Sequence, residues 1–276
     1  LALCTSNLSD PSIALPSDHF DTLLWTGDGS LDDRDITGLS FTLDMMWRKN
    51  RPNGYNHQLQ DSIRGLSAGK GLVPNSDVEE GNTAQSAGDP PGSYGYVSAA
   101  LSNGFTVSTT GTDASNLFTT NLSGEGYVSW NWLGANGTVT NTDGTNIDST
   151  VSANTTAGFS ICTYTGTGTV NDSFGHGLGQ KPELVIIKNL SNSGDPQNWL
   201  VGATDVYGTS SGEEGYQILN LDNAVNYSNG GCYSAPTASV VVLGNWENLN
   251  ESAETFVAYC FHSIEGYSKV GSYTGN

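Results

Sequence analysis

Apolar and polar positions alternate with a period of two in several short stretches of the chain. In Tyr127-Val128-Ser129-Trp130-Asn131-Trp132, the residues Val128, Trp130 and Trp132 share one face and Tyr127, Ser129 and Asn131 the other. That is the pattern of a β-strand with a bulky face turned inward. Leu39-Ser40-Phe41-Thr42-Leu43 alternates in the same way, and Leu184–Ile187 and Val240–Leu243 are short apolar runs of the kind found in buried sandwich strands. Clusters of Gly, Asn, Asp, Ser and Thr, such as Asn141-Thr142-Asp143-Gly144, punctuate these stretches as turns. No window sustains a capped 3.6-residue period. The pattern predicts an all-β chain.

Self-comparison predicts that the strands come in two sets. Trp25-Thr26-Gly27-Asp28-Gly29-Ser30 aligns with Tyr164-Thr165-Gly166-Thr167-Gly168-Thr169 at an offset of 139, which holds through Lys49-Asn50 on Lys188-Asn189. Tyr127–Trp132 aligns with Phe256–Phe261 at an offset of 129. Val270–Asn276 then repeats Ile161–Thr167, so a third copy begins where the sequence stops. With no initiator Met, this reads as a segment of a longer repeat-bearing protein. The expected organisation is an extended lead (1–18), a first β-sandwich-like module (19–134), a Thr/Asn/Gly-rich polar connector (135–157), a second module of similar topology (158–266), and the start of a third copy or a terminal strand (267–276). Trp130, Trp132, Tyr259, Phe261 and Ile186 are expected in module cores, because their positions stay apolar in both copies.

Composition narrows the function. Nine Lys+Arg against 28 Asp+Glu leave a net charge of −19, and residues 71–180 contain no Lys or Arg. Phosphate chains need clustered cations, so nucleic acid is not an expected partner. The longest apolar runs are far too short to span a bilayer, so membrane insertion is not expected either. Cys4, Cys162, Cys232 and Cys260 are widely spaced without a CxxC pair and read as unpaired thiols.

Candidate chemistry is sparse. Gly208-Thr209-Ser210-Ser211-Gly212 fits the nucleophile-elbow spacing but lacks the helical pattern that should follow it. His19, His57, His176 and His262 form no zinc-hydrolase spacing, and His176, in Gly175–Gly179, reads as a turn residue. Arg48-Lys49 with Arg51 reads as a solvated strand end. Asp28, Asp32, Asp33 and Asp35 crowd one loop and are the candidate Ca²⁺ ligands. The ordered spacing of a calcium loop is absent, so a solvated acidic loop without a cofactor is the weightier reading. Trp246, in Gly244–Asn248, has no equivalent in the other copy and is the candidate glycan-binding residue, expected to be partly exposed.

Three strings carry a resemblance: Phe20–Ser30, Gly175–Pro182, and Tyr259–Phe261 with Glu265–Asn276. They resemble a repeat module of tailed-bacteriophage virion proteins, common in marine and cyanobacterial phages. The lead Ala2–Pro11 resembles the linker that follows an upstream lectin-like or SPRY-like sandwich in such proteins. Residues 67–100 match no part of that pattern. The resemblance implies a structural and adhesive segment of a tail or head fibre on the virion surface, outside the cell. It would assemble with its own copies, most often as a homotrimer, and with other virion proteins. It would contact host surface glycan or protein. No catalytic residue is carried over, and the chain is read as not an enzyme. The alternatives are a capsid decoration or other virion wall protein without a receptor role, and a depolymerase tailspike. The last would need two facing carboxylates, one of them drawn from Glu213-Glu214 or Asp32-Asp33.

Overall fold

The structure, a computed structural model, describes residues 12–82, 90–191, 197–210, 213–227 and 233–274. The first half carries β1 (Phe20–Thr26), β2 (Arg34–Thr37), β3 (Met45–Asn50), β4 (Gln58–Asp61), β5 (Tyr96–Leu101), β6 (Gly104–Ser108) and β7 (Gly126–Trp132). There follow β8 (Val139–Asn141), β9 (Ser149–Asn154), β10 (Phe159–Thr165), β11 (Ser173–Gly175), β12 (Leu184–Asn189) and β13 (Leu200–Gly202). The remaining elements are α1 (Thr204–Tyr207), β14 (Thr209–Ser210), β15 (Glu213–Ile218), β16 (Asn226–Tyr227), β17 (Tyr233–Ser234), β18 (Val240–Leu243), α2 (Glu247–Asn250) and β19 (Thr255–Phe261). The fold is nearly all β.

Four sheets form, and every ladder is antiparallel among the described residues. The order β1-β7-β3-β4 makes one sheet and β2-β6-β5 a smaller one over it. In the second half β10-β19-β12-β13 sits inside a nine-stranded sheet, with β9 and β8 beyond β10 and with β15, β14 and β16 beyond β13. The sheet β11-β18-β17 covers it. Registers coincide. Phe20 faces Trp132 and Trp25 faces Tyr127 across β1 and β7, as Phe159 faces Phe261 and Tyr164 faces Phe256 across β10 and β19. Met45 faces Trp132 as Leu184 faces Phe261. These pairs are separated by the 139 and 129 residues of the sequence alignment.

Three apolar clusters fill the spaces between sheets. Trp25, Met46 and Tyr127 pack against Ile36, Val97 and Phe105 inside the first half. Tyr164, Ile187 and Ala258 pack against Phe174, Val241 and Leu243 inside the second. A third cluster lies between the halves, where Met45 and Leu59 meet Phe159, Ile161, Val257 and Tyr259. The two larger sheets therefore pack back to back, and their central strands are covered on both faces, which gives four layers, while β1 and the edge strands β8, β14 and β16 keep exposed residues. Burying a large side chain such as Trp199, with no exposed surface, contributes roughly 2–3 kcal/mol. Glycine permits one close approach twice. A Cβ added at Gly27 would stand 2.2 Å from the Leu122 carbonyl oxygen, and one at Gly166 2.3 Å from that of Glu251.

Several sequence expectations change. On β7 the fully buried face carries Tyr127, Ser129 and Asn131, and Trp130 and Trp132 on the opposite face are half-buried. The reason is the second packing partner: the tryptophan face looks toward the other half, where Trp132 packs, instead of toward the sheet β2-β6-β5. Tyr259 is buried, whereas Phe261 and Ile186 are half-buried for the same reason. Leu39, Phe41 and Leu43 are buried but belong to no strand. Arg48 is not a solvated strand end; it points inward at 1% exposure and donates to Gln60 Oε1 at 2.7 Å and to the Thr119 carbonyl at 3.2 Å. The stretch 135–157, expected as a connector, contains β8 and β9, and β9 extends the nine-stranded sheet beside β10. Ser268 forms one bridge back to Ile264 and no strand follows through residue 274; Tyr273 is 94% exposed. No helix among the described residues is long and apolar enough to cross a membrane.

Candidate functional site

Where the two inner sheets meet, they leave a cleft of about 440 Å³. Its walls are built from the same strand positions of both halves: Phe20 and Phe159, Met45 and Leu184, Trp47 and Ile186, Trp132 and Phe261. Each pair is related by the sequence offsets, so one set of four apolar positions, used twice, lines both walls. The rings are in mutual contact. Centroids lie 4.9 Å apart for Phe20 and Trp132, 5.0 Å for Phe159 and Phe261, and 6.2 Å for Trp132 and Phe159. The segment after β19 closes one side through His262, Tyr267, Ser268, Lys269 and Val270.

Polar groups at this junction are mostly spoken for. Trp47 Nε1 donates to His57 Nδ1 at 2.9 Å, and Trp199 Nε1 donates to the Val73 and Ser76 carbonyls at 3.0 and 3.1 Å. Tyr259 Oη donates to Asp61 Oδ2 at 2.7 Å, and Arg64 Nε donates to the same oxygen at 2.6 Å. Burial alone would push the Arg64 guanidinium down, but Asp61, Tyr259 and Glu80 outweigh it and hold it above its ordinary value. Burial, then Asp61, pushes the Tyr259 phenol well up. The Lys188 ammonium donates to the Asp77 carbonyl at 2.8 Å and also to that of Gln197. Burial brings it down to about 8, with Asp77 and Glu79 pulling the other way. Arg64 Nη2 and one nitrogen of His262 are exceptions. The His262 Nδ1 lies 3.0 Å from the Ser263 carbonyl oxygen, and its Nε2 is buried without a hydrogen-bond partner.

The residues singled out in the sequence lie elsewhere. Trp246 is half-buried, precedes α2, and sets its ring edge-on to Tyr216 at 5.3 Å. The aspartates of the acidic loop take separate partners: Asp28 accepts from the Ser30 amide and Asn121 and pairs with Arg34 at 3.4 Å, Asp33 accepts from Ser108, and Asp35 accepts from Thr106. Among the described residues, Asp28, Asp32, Asp33 and Asp35 are not brought together as metal ligands. Hydrogen bonds from Ser30 and Asn121 hold the Asp28 carboxyl below its usual range.

The other motifs are structural where they are described. Ser210 follows a short helix and precedes β15, the reverse of the strand-turn-helix order a nucleophile elbow needs, while residues 211–212 lie outside the described set. His176 has no exposed surface; its Nδ1 accepts from the Leu178 amide at 3.2 Å, and its Nε2 donates to the Thr237 carbonyl at 3.2 Å. Burial pushes its pKa down, so it sits as a neutral loop pin. Cys162 and Cys260 are buried free thiols, and hydrogen bonding with Cys162, then burial, pushes the Cys260 thiol well up. That opposes the thiolate which nucleophilic chemistry needs. Cys4 and Cys232 lie outside the described residues.

A family model matches residues 15–276, nearly the whole chain and both halves at once. The chain belongs to the DUF7483 family, a domain of unknown function. No curated protein and no solved structure matches it. The cleft was missed in the sequence because it exists only where the halves meet. Its signal was present in the positions that stay bulky in both copies, which were assigned to separate module cores.

Proposed function

We propose that this chain is a structural and adhesive segment of a phage virion appendage, a tail or head fibre, that binds without chemistry. The observation that carries the reading is the aromatic cleft. Its lining is mostly apolar and aromatic, with His262 and Lys269 as its basic members, so what it offers a partner is chiefly contact area. The matching registers of β1/β7 and β10/β19 support a finer reading of the fold, as two sandwich-like modules of one repeat fused through their outer faces. The strings Phe20–Ser30 and Gly175–Pro182 supply the resemblance to virion repeat proteins. At a charge of −19, an acidic bacterial envelope repels the surface, so adhesion rests on neutral contacts or on bridging cations. In this reading the segment works as a homo-oligomer on the virion surface.

Antibody against this segment tests the proposal. Labelling of an external appendage together with blocked adsorption is the expected result. Label confined to the capsid wall, with adsorption unaffected, overturns the adhesive role. Release of sugar from host envelope polysaccharide overturns the non-catalytic one.

A further inference from the structure

We infer that Asn136 is a site of spontaneous modification, where the Gly137 peptide nitrogen attacks the side-chain amide and a carboxylate takes the amide's place. The inference is independent of the adhesive reading of the cleft.

The chemistry is intramolecular. The Gly137 nitrogen forms a bond to Asn136 Cγ, the Cγ–Nδ2 bond breaks, and the proton of the peptide nitrogen leaves with the departing ammonia. Water then opens the five-membered imide. Cleavage of the new N–Cγ bond gives aspartate, and cleavage of the original peptide bond gives isoaspartate, with the main chain rerouted through the side chain. Ammonia is lost, water is gained, and the chain becomes more negative by one charge. The step needs a free side-chain amide and a following peptide that can turn toward Cγ, which glycine hinders least.

Three Asn-Gly pairs lie among the described residues, and the fold treats them differently; a fourth, at 229–230, lies outside them. At Asn53, Nδ2 donates to Glu125 Oε2 at 2.9 Å, and the carbonyl oxygen accepts from Lys49 Nζ at 2.6 Å. At Asn103 the carbonyl oxygen accepts from the Gly38 and Leu39 amides at 2.8 and 3.0 Å, and Gly104 pairs with Leu101 on one side and Thr37 on the other. Both of these peptides are pinned. Asn136 and Gly137 are exposed, and Asn136 holds φ 51°, a left-handed turn that asparagine tolerates. The Asn136 amide donates to Asp44 Oδ2 at 2.9 Å, which anchors the residue on its upstream side. Among the described residues, its side chain and the peptide that follows have no hydrogen-bond partner, and a Cβ added at Gly137 would meet nothing within 4 Å. This peptide can turn.

The position gives the change a consequence. Residues 133–138 cross from β7 of the first half to β8 of the second, and Asp44 Oδ2 holds the crossing through the Gly134 and Asn136 amides. The new carboxylate, or the rerouted main chain, arises on that crossing.

The test incubates the intact chain at mildly alkaline pH, folded and in urea. Both samples are digested with chymotrypsin, because residues 71–180 offer trypsin no site. Conversion is read by peptide mass and by isoaspartyl methylation. In the folded chain Asn136 should convert about tenfold faster than Asn53 or Asn103, the factor that two modest hydrogen bonds impose. In urea the three rates should converge. Glu125→Ala frees the Asn53 amide, so it should speed conversion at Asn53 several-fold and leave Asn136 unchanged. Conversion of Asn53 or Asn103 as fast as Asn136 in the folded chain overturns the assignment, as does an intact Asn136 when the urea sample has converted. A preference for Asn136 that persists in urea belongs to local sequence and overturns the part given to the fold. An unchanged Asn53 rate in Glu125→Ala overturns the pinning argument. The comparison of folded and unfolded parent chain decides the matter even if the variant fails to fold.

Discussion

Replacing Tyr259 by Phe isolates one bond between the two halves. The Tyr259 ring, 1% exposed, belongs to β19 of the second half, and its hydroxyl donates to Asp61 Oδ2 on β4 of the first. Asp61 has no exposed surface. It keeps Arg64, whose Nε lies 2.6 Å from the same oxygen and whose amide donates to Oδ1 at 2.9 Å. Arg64 in turn binds Glu80 at 2.7 Å, and Glu80 binds Lys70 at 2.8 Å. The variant keeps the ring packing and removes a single hydrogen bond to a buried charge, a change of about 1.5–3 kcal/mol. Because Arg64 still neutralises Asp61, the lower part of that range, about 2 kcal/mol, is expected. With an m-value of about 3 kcal/mol/M, the urea midpoint falls by about 0.7 M in a single transition. Tyr164→Phe is the control. Its hydroxyl donates to the neutral Leu249 carbonyl at 2.7 Å within the second half, and its loss should cost about 1 kcal/mol. A Tyr259→Phe midpoint within about 0.2 M of the parent would refute the idea that this hydroxyl joins the halves. Two separated transitions in the parent chain would refute the idea that the halves fold as one unit.

Other outcomes follow from particular side chains. Lys188, with a folded pKa of about 8 against about 10.4 unfolded, is protonated in the unfolded chain over a window where the folded chain has released the proton. Stability should therefore rise from pH 8 toward pH 10 by up to about 3 kcal/mol relative to Lys188→Met, and parallel urea midpoints for the two chains would show this wrong. Gly27→Ala and Gly166→Ala should each destabilise by about 2–3 kcal/mol, because the new methyl meets a carbonyl oxygen on its own half of the molecule; thermal melts check both. Trp246→Ala should cost about 2 kcal/mol through lost packing on Tyr216, and an unchanged melting temperature would show that the ring contributes nothing there.

Strand positions were legible in the alternation of β7 and in two short apolar runs, but not in Leu39–Leu43, which alternates and forms no strand. Tyr127–Trp132, Leu184–Ile187 and Val240–Leu243 all lie in strands, and the offsets of 139 and 129 reappear as shared registers. Facing was not legible, because alternation reports two faces and not which one is inside. On β7 the larger residues look across to the other half, and small polar Ser129 and Asn131 fill the enclosed face, where Asn131 Nδ2 donates to the Asp21 carbonyl and to Ser129 Oγ at 3.0 Å each. Polar composition concealed β9 in the same way. Ser149, Val151, Ser152 and Asn154 are its buried residues, and Ser149 Oγ donates to the Gly175 carbonyl at 2.6 Å, so the strand reads as linker by composition alone. Of the site, the apolar positions were visible but their meeting was not, since nothing in a single sequence records that two sheets pack back to back.

The placement of the cations bears on how such a chain meets anything else. Arg48, Arg64 and Lys188 are interior, and they come from a total of only nine basic residues. Arg64 joins Asp61, a carboxylate on its own half, while Lys188 reaches the Asp77 carbonyl of the first half from β12 of the second. Positive charge thus helps to hold the layers together, and because Asp44, Asp61 and Asp172 are buried as well, the net acidity of the chain stays on its outer surface. Exposed acidic surface of this kind keeps like surfaces apart beyond about 8 Å at physiological ionic strength, the screening length there. A contact formed against that repulsion needs a local gain that does not depend on charge. The aromatic cleft is neutral along its walls, with Lys269 at its rim the one cation in the lining, and is built by both halves where they are most firmly joined. Adhesion through it should strengthen, or at least persist, as salt is added, because screening removes the repulsion and leaves the apolar burial intact.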